Sequence, residues 1–361
     1  MQPHNIYNMK TSRFLLITIL ALTFSACEKV IQVDPMDSPS ELVLNGVPSA
    51  ERECFVYFAN SHFFLDTSND HPVDGVEMAL TVNGNEYRPT RVDRCRYYFD
   101  YVAQADDSLS IRVQAGNRLV TSSTYVPRMP QISDPVAFIN SDSTFNLLVV
   151  NFTLTDPADY PNYYRFLITE RDSGAIYIPY FDYSDTIDTT FNSIFFCLDK
   201  ALTNPNAAAT EALGGYLYTQ LLTTDANIDG TSHNASILVI LLRDTNEIQP
   251  YIHQYGLSVE CVTPDRYRYL QNIDAISSMM SMITEPPEVY SNVNGALGIF
   301  AGNAKRTFPL LTISDGQVVS THGGIPLIED PTLITRYRSH IPSWVIDQLR
   351  ERRHKSSLRH K

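Results

Sequence analysis

No uncharged apolar run in this sequence reaches the roughly 20 residues that a helix needs to cross a hydrocarbon layer; the run from Phe14 to Ala26 stops at thirteen. Tryptophan occurs once, and only 19% of the residues are charged. Catalytic signatures are missing as well. There is no G-x-S-x-G, H-E-x-x-H, C-x-x-C or G-x-x-x-x-G-K-[ST]. None of the 9 histidines stands three or four residues from another, so no two can share a helix face. Ser122-Ser123 and Thr321-His322-Gly323-Gly324 offer hydroxyls, but the sequence supplies no neighbouring base. These absences predict a chain that is not an enzyme. The net charge of −13 divides into +4 over residues 341–361 and therefore −17 over the rest, an acidic body unsuited to nucleic acid.

What is abundant is 21 Tyr and 17 Phe, a composition that suits pleated strands with aromatic faces. The short apolar run is also informative. Lys10 and Arg13 precede it and the small pair Ser25-Ala26 ends it, which reads as a signal peptide over residues 1–26 whose true start is Met9. Cys27 follows at once. A cut directly before a cysteine resembles the bacterial lipobox, with Phe24 where leucine is usual, and predicts that Cys27 is acylated and holds the chain on a membrane. Residues 27–40, with Pro35 and Pro39 and no apolar periodicity, read as a tether.

Strand signals dominate the remainder. Between 41 and 126, six or seven β-prone runs are separated by turn signals, among them Asn83-Gly84 after the alternating Val76–Val82; the expected unit is an Ig-like β-sandwich. Pro127 to Pro135 reads as a linker. Residues 136–310 predict a larger β-sandwich or barrel-like domain with one packed helix at about 265–283, where Tyr269, Ile273, Ile276, Met280 and Ile283 recur at helical spacing between Pro264 and Pro286-Pro287. Residues 311–361 read as a loop-rich extension ending in the basic tail. That tail is either a solvated terminus or a contact for anionic headgroups.

Four cysteines remain after Cys27. The expected disulfides join Cys54 to Cys95 and Cys197 to Cys261, one in each domain; the other reading makes all four small buried hydrophobes. Asp225, Asn227 and Asp229 before Gly230 match the opening of a calcium loop, yet Ser236 stands where the bidentate Glu belongs, so calcium competes with a plain polar turn. Asp182, Asp185 and Asp188 read as a solvated loop. Tyr177, Tyr180 and Tyr183 form a candidate ligand face for a sugar or peptide.

Several stretches then carry a resemblance: CEKVIQVD, HPVDGVEMALTV, TYVPRMPQI, NYYRF, DRYRYLQNID and EPPEVYSNVNGALGIFAG, in that order. Together they resemble a Bacteroidota envelope lipoprotein family catalogued as domain of unknown function 4249, over roughly residues 25–310. Its usual Asn-x-x-Gly-Gly-x-Gly-x-Phe signal is represented by Asn292, Gly295, Gly298 and Phe300, with Ala296 in place of the second glycine. The resemblance implies an outer-membrane lipoprotein without enzymatic activity, often encoded near TonB-dependent receptors, with a first domain similar to transthyretin-like sandwiches. Its expected role is an accessory or interaction module, with a glycan- or peptide-binding adhesin as the alternative.

Overall fold

The computed structural model describes residues 40–61, 71–141, 145–158, 160–178, 183–197, 199, 201–202, 217–242, 251–279, 289–314, 317–319 and 325–337. Cys27, Tyr180, Asp182 and the basic tail lie outside these residues.

The first sandwich follows from period-two burial. One sheet has the order β19-β1-β2-β6-β5, built from β1 (Leu42–Gly46), β2 (Glu53–Asn60), β5 (Thr90–Arg91), β6 (Arg96–Val102) and β19 (Leu297–Phe300). The other has the order β4-β3-β7-β8, from β3 (Val76–Val82), β4 (Asn85–Tyr87), β7 (Ser108–Ala115) and β8 (Arg118–Tyr125). Along β7 every second side chain, Leu109, Ile111, Val113 and Ala115, faces Leu44, Phe58 and Phe99 of the opposite sheet in one core. The β3–β4 hairpin turns at Asn83 and Gly84 with φ of 48° and 87°, the two positive angles that this dipeptide accommodates.

The second sandwich is larger. One sheet runs β15-β14-β17-β11-β10-β22, with β9 (Gln131–Ile132) also on β11; its strands are β10 (Val136–Ser141), β11 (Phe145–Thr155), β14 (Phe195–Cys197), β15 (Leu217–Tyr218), β17 (Ser232–Leu242) and β22 (Leu327–Glu329). The facing sheet runs β13-β12-β18-β20-β21, with β16 (Leu221–Thr224) also on β12; it contains β12 (Tyr163–Ile178), β13 (Tyr183–Ser193), β18 (Tyr251–Val262), β20 (Asn303–Ser314) and β21 (Gln317–Val319). Among the described residues neither sheet closes on itself, which makes the domain a sandwich and not a barrel. Helix α1 (Pro264–Met279) packs Tyr267 and Leu270 against Tyr163, Leu222 and Val262 outside one sheet. The short α2 (Leu333–Tyr337) covers Leu147, Val149 and Leu238 outside the other.

Three expectations are revised by strand pairing. β19 was expected within the second domain, but it lies parallel to β1, with Val43 opposite Leu297 and Gly46 opposite Phe300. The linker contributes β9, and the expected loop-rich extension contributes β21, β22 and α2 to the second sandwich. Contacts across these crossings leave the described residues from Glu41 onward in one compact unit.

The expected disulfides are absent: Cys54, Cys95, Cys197 and Cys261 are all buried, and none is bridged to another. Cys54 lies opposite Phe99 on β6, whereas the Phe58 N–H donates to the Cys95 carbonyl. Four strand residues, roughly 13 Å, therefore separate two positions whose Cα atoms would have to approach within about 7 Å. Cys197 and Cys261 sit on facing sheets, opposite Ile237 and Tyr164. Burial pushes the Cys54 thiol up to about 11 and those of Cys197 and Cys261 up to about 12.

Candidate functional site

The joint between the sandwiches is made by residues 289–303. The Phe300 N–H donates to Asn292 Oδ1 at 2.9 Å, and Asn292 Nδ2 donates to the Phe300 carbonyl at 2.8 Å, so one side chain does for Phe300 what a neighbouring strand would do. Asn292 Nδ2 also reaches Asp265 of α1 at 3.3 Å, and the Tyr290 hydroxyl donates to Asp265 at 2.5 Å. The Tyr290 N–H donates to Asn272 at 2.8 Å. The acidic and amide residues of DRYRYLQNID thus hold this segment against α1.

Backbone crowding explains the glycines. At Gly298, φ is +113° and a Cβ would stand 2.1 Å from the Leu44 carbonyl oxygen; at Gly302 it would stand 1.9 Å from that of Tyr125. No side chain fits either place. Ala296, by contrast, packs its methyl against the first core, so a second glycine is not demanded there.

Gly302 brings the end of β8 beside the start of α1, and a cleft of about 330 Å³ opens at that meeting point. Its walls are Tyr125, Pro127, Tyr160, Pro161, Tyr163 and Pro264, with Asp106 also in the lining. Tyr125 is 41% exposed, while Tyr163 packs at a tilt of 48° against Tyr267 of α1 with centroids 5.0 Å apart. Asp106 is paired with Arg128 at 2.6 Å. The cleft offers flat ring faces, proline edges and one ion pair, but among its lining residues there is no histidine, cysteine or serine to serve as base or nucleophile.

Of the expected calcium residues the structure brings two together. Asp225 and Asp229 meet Asp156, each offering an oxygen within 4.8 Å of the others. Asn227 turns away and donates to the Ala201 carbonyl at 3.2 Å. The other oxygens have duties: Asn162 N–H donates to Asp225, while Tyr164 O–H and Gly230 N–H both donate to Asp156. Burial holds the Asp156 carboxyl above the usual range despite these bonds. The cluster is the corner that fastens the β16–β17 turn to the end of β11.

A family profile described as "Domain of unknown function (DUF4249)" matches residues 28–308. The chain belongs to the DUF4249 family. The matched span begins immediately after Cys27 and ends within β20, so it contains the joint and the cleft of this DUF4249 chain but not β21, β22 or α2. No curated protein matches by sequence. Among solved structures, the B domain of a biofilm associated protein is 8% identical, with 77% of this chain and 88% of that one covered and a TM-score of 0.15. The Enterococcus faecalis MSCRAMM ACE, described as binding its ligands by the collagen hug model, is 9% identical, with 81% and 96% covered and a TM-score of 0.18. The collagen adhesin of S. aureus is 10% identical, with 78% and 97% covered and a TM-score of 0.16. Scores of this size specify neither a shared topology nor a shared ligand.

In the DUF4249 chain the expected aromatic face is not the one that the structure places at the joint. Tyr177 and Tyr183 lie at the distal ends of β12 and β13, in the hairpin register Ile178 opposite Tyr183, and their side chains, like Tyr180, are outside the described side chains. Asp188, from the expected acidic loop, is a strand residue bound through both oxygens to Arg171 at 2.8 and 2.7 Å. The cleft escaped sequence reasoning because its tyrosines come from two separated segments, Tyr125 and Tyr160 to Tyr163, and its last proline, Pro264, from a third; the one available signal was that Tyr125 and Tyr160 each stand within two residues of a proline at the edge of an element. Among the described residues no helix is long and apolar enough to cross a membrane.

Proposed function

We propose that this protein is a non-enzymatic interaction module, lipid-anchored through Cys27 to the outer membrane, that serves as an accessory to a TonB-dependent receptor. Its cleft holds an extended, proline- or aliphatic-rich segment of that partner. The observation that carries the contact is the Tyr125–Tyr160–Tyr163 cleft with its three prolines. Aromatic-lined grooves dock extended chains because ring faces match the flat sides of a preformed backbone, and tyrosine provides large contact area at small cost in rotamer entropy. The anchor rests on Ser25-Ala26-Cys27, and the receptor on the family resemblance. Residues 28–40 span at most about 45 Å when fully extended, which sets how far the cleft can stand from the lipid.

The test is affinity purification of the acylated chain from its native envelope, with mass spectrometry of the bound proteins and of the N-terminal peptide, repeated with Tyr125→Ala combined with Tyr160→Ala. The expected result is acylated Cys27 in both, a stoichiometric receptor with the wild type, and its loss in the double variant. A receptor retained by the double variant removes the cleft from the proposal. Acylation without any protein partner turns the reading to a stand-alone glycan or peptide binder, and an unmodified Cys27 refutes the anchor.

A further inference from the structure

On β12 and β18, Glu170 stands opposite Tyr255 and Asp172 opposite His253. Directly opposed residues leave an antiparallel pair on the same face. That face is the inner one, because Phe166 and Ile168 precede the acids on β12, and Leu257 and Val259 follow His253 and Tyr255 on β18, all within the main core. The apolar core of the second sandwich therefore ends in a polar group. His253 Nδ1 lies 2.6 Å from Asp172 Oδ1 and 3.6 Å from Glu170 Oε1, and the Tyr255 hydroxyl donates to Glu170. One ligand atom each from Glu170, Asp172 and His253 falls within 4.8 Å of the other two, on residues only 6%, 8% and 4% exposed.

The facing sheet adds an independent sign. Asn146 of β11 is 0% exposed, and among the described residues neither its Oδ1 nor its Nδ2 has a hydrogen-bond partner. Leu148, Val150 and Phe152 on the same strand, and Leu241 directly opposite Asn146 on β17, all face the main core, so Asn146 points inward too. The layers are aligned by Tyr164 bonding to Asp156 just beyond β11 and by Phe152 lying 5.9 Å from Phe166. Counting back along β11 from Phe152 and forward along β12 from Phe166 brings Asn146 to the end of the core where Glu170, Asp172 and His253 stand. A buried amide with neither atom bonded is costly, and an ion that takes its oxygen removes part of that cost.

We infer that Glu170, Asp172 and His253, completed by the Asn146 amide oxygen, bind a divalent transition-metal ion of the zinc class. Two carboxylates and a neutral imidazole balance a charge of 2+, and four protein donors match the closed coordination of a structural zinc site. Nitrogen and oxygen donors without thiolate suit zinc or manganese and not Cu(I), whereas calcium takes six to eight oxygens and gains nothing from the imidazole. The ion replaces the proton shared by His253 and Asp172 and ties β12 and β18 to the opposite sheet.

The test titrates the chelator-treated full chain with zinc chloride by calorimetry and locates zinc in crystals by anomalous scattering at its absorption edge. One equivalent is expected at micromolar affinity or tighter. Asp172→Asn and His253→Gln each weaken it by more than about 100-fold, Asp229→Asn in the other carboxylate cluster leaves it unchanged, and Asn146→Asp tightens it. The anomalous peak on the wild-type chain, between the inner face of β12–β18 and Asn146, needs no variant and stands even where a substitution impairs folding. No uptake at about 100 µM zinc, a peak elsewhere, or undiminished affinity in both Asp172→Asn and His253→Gln overturns the assignment.

Discussion

Replacing Asn292 with alanine strips both backbone groups of one buried residue at once. Phe300 is 1% exposed, and its N–H and carbonyl are both bonded to the Asn292 side chain, at 2.9 and 2.8 Å. A buried polar group left without its partner costs about 1–3 kcal/mol. Two such groups give about 2–6 kcal/mol, and partial entry of water at this part-buried joint favours the lower half, about 3 kcal/mol. The lost contact to Asp265 adds little, because that carboxylate keeps the Tyr290 hydroxyl. In a chain of this size the loss lowers Tm by about 5 °C or more. Equilibrium urea denaturation followed by circular dichroism measures it directly, with a thermal scan as the second reading. Asn292→Asp keeps an acceptor for the Phe300 N–H but loses the donor to its carbonyl and sets a second carboxylate beside Asp265, so it is expected to be no better than alanine. A loss below about 0.5 kcal/mol for the alanine variant, the range of an ordinary surface change, would refute the claim that Asn292 stands in for a strand.

Three further outcomes are expected. Thiol counting in denaturant should find Cys54, Cys95, Cys197 and Cys261 all free, while the native chain resists iodoacetamide because the reactive thiolate is suppressed by burial; a mass difference between reduced and non-reduced peptides would restore the disulfides. Asp274 accepts from Gln220 beneath α1, and burial raises its pKa above the usual carboxylate value. A raised folded-state pKa means stability that is present in acid and lost as pH rises through that pKa, so Asp274→Asn should gain on the wild type as pH climbs from about 4 to 7, and the reverse trend would show that the Arg165 charge outweighs burial. Calorimetry with calcium in the low millimolar range should give no heat, since Asn227 is spent on Ala201 and Asp156 and Asp225 on N–H and O–H donors; binding abolished by Asp229→Asn would reinstate the calcium loop.

Much of the fold is legible wherever the cause is local. Alternation places β3 and β7, Asn83-Gly84 turns the hairpin, and Pro264 opens α1, although Tyr267 and Leu270, and not the expected stripe through Tyr269, Ile273 and Ile276, supply its packed face. What escapes is set by distant partners. Nothing in Leu297–Phe300 announces that its neighbour is Leu42–Gly46, because a parallel edge strand carries no turn to fix its mate. Cysteine count and order said nothing about the offset between Cys54 and Cys95, which is a matter of register. The Glu170–Asp172 and His253–Tyr255 pairs do leave a trace, polar residues in the inward phase of otherwise apolar strands, but two such traces combine only when β12 and β18 are known to be neighbours. The cleft left less still, for its rings are assembled by chain crossings and by no single motif.

The parallel pairing of β1 with β19 also orders events in time. Some 250 residues separate the two strands, so a chain that emerges N-terminus first exposes the free edge of β1 until almost all of its length has followed. The first sandwich is the first to be made and among the last to be finished. Until Leu297–Phe300 arrives, that edge is a template for any other extended chain, its own copies included. Closing so distant a contact is intrinsically slow. A chain cut before Leu297 therefore lacks more than its C-terminal region: it also leaves its N-terminal sandwich one strand short, an outcome that a truncation placed at the apparent domain boundary would meet as aggregation.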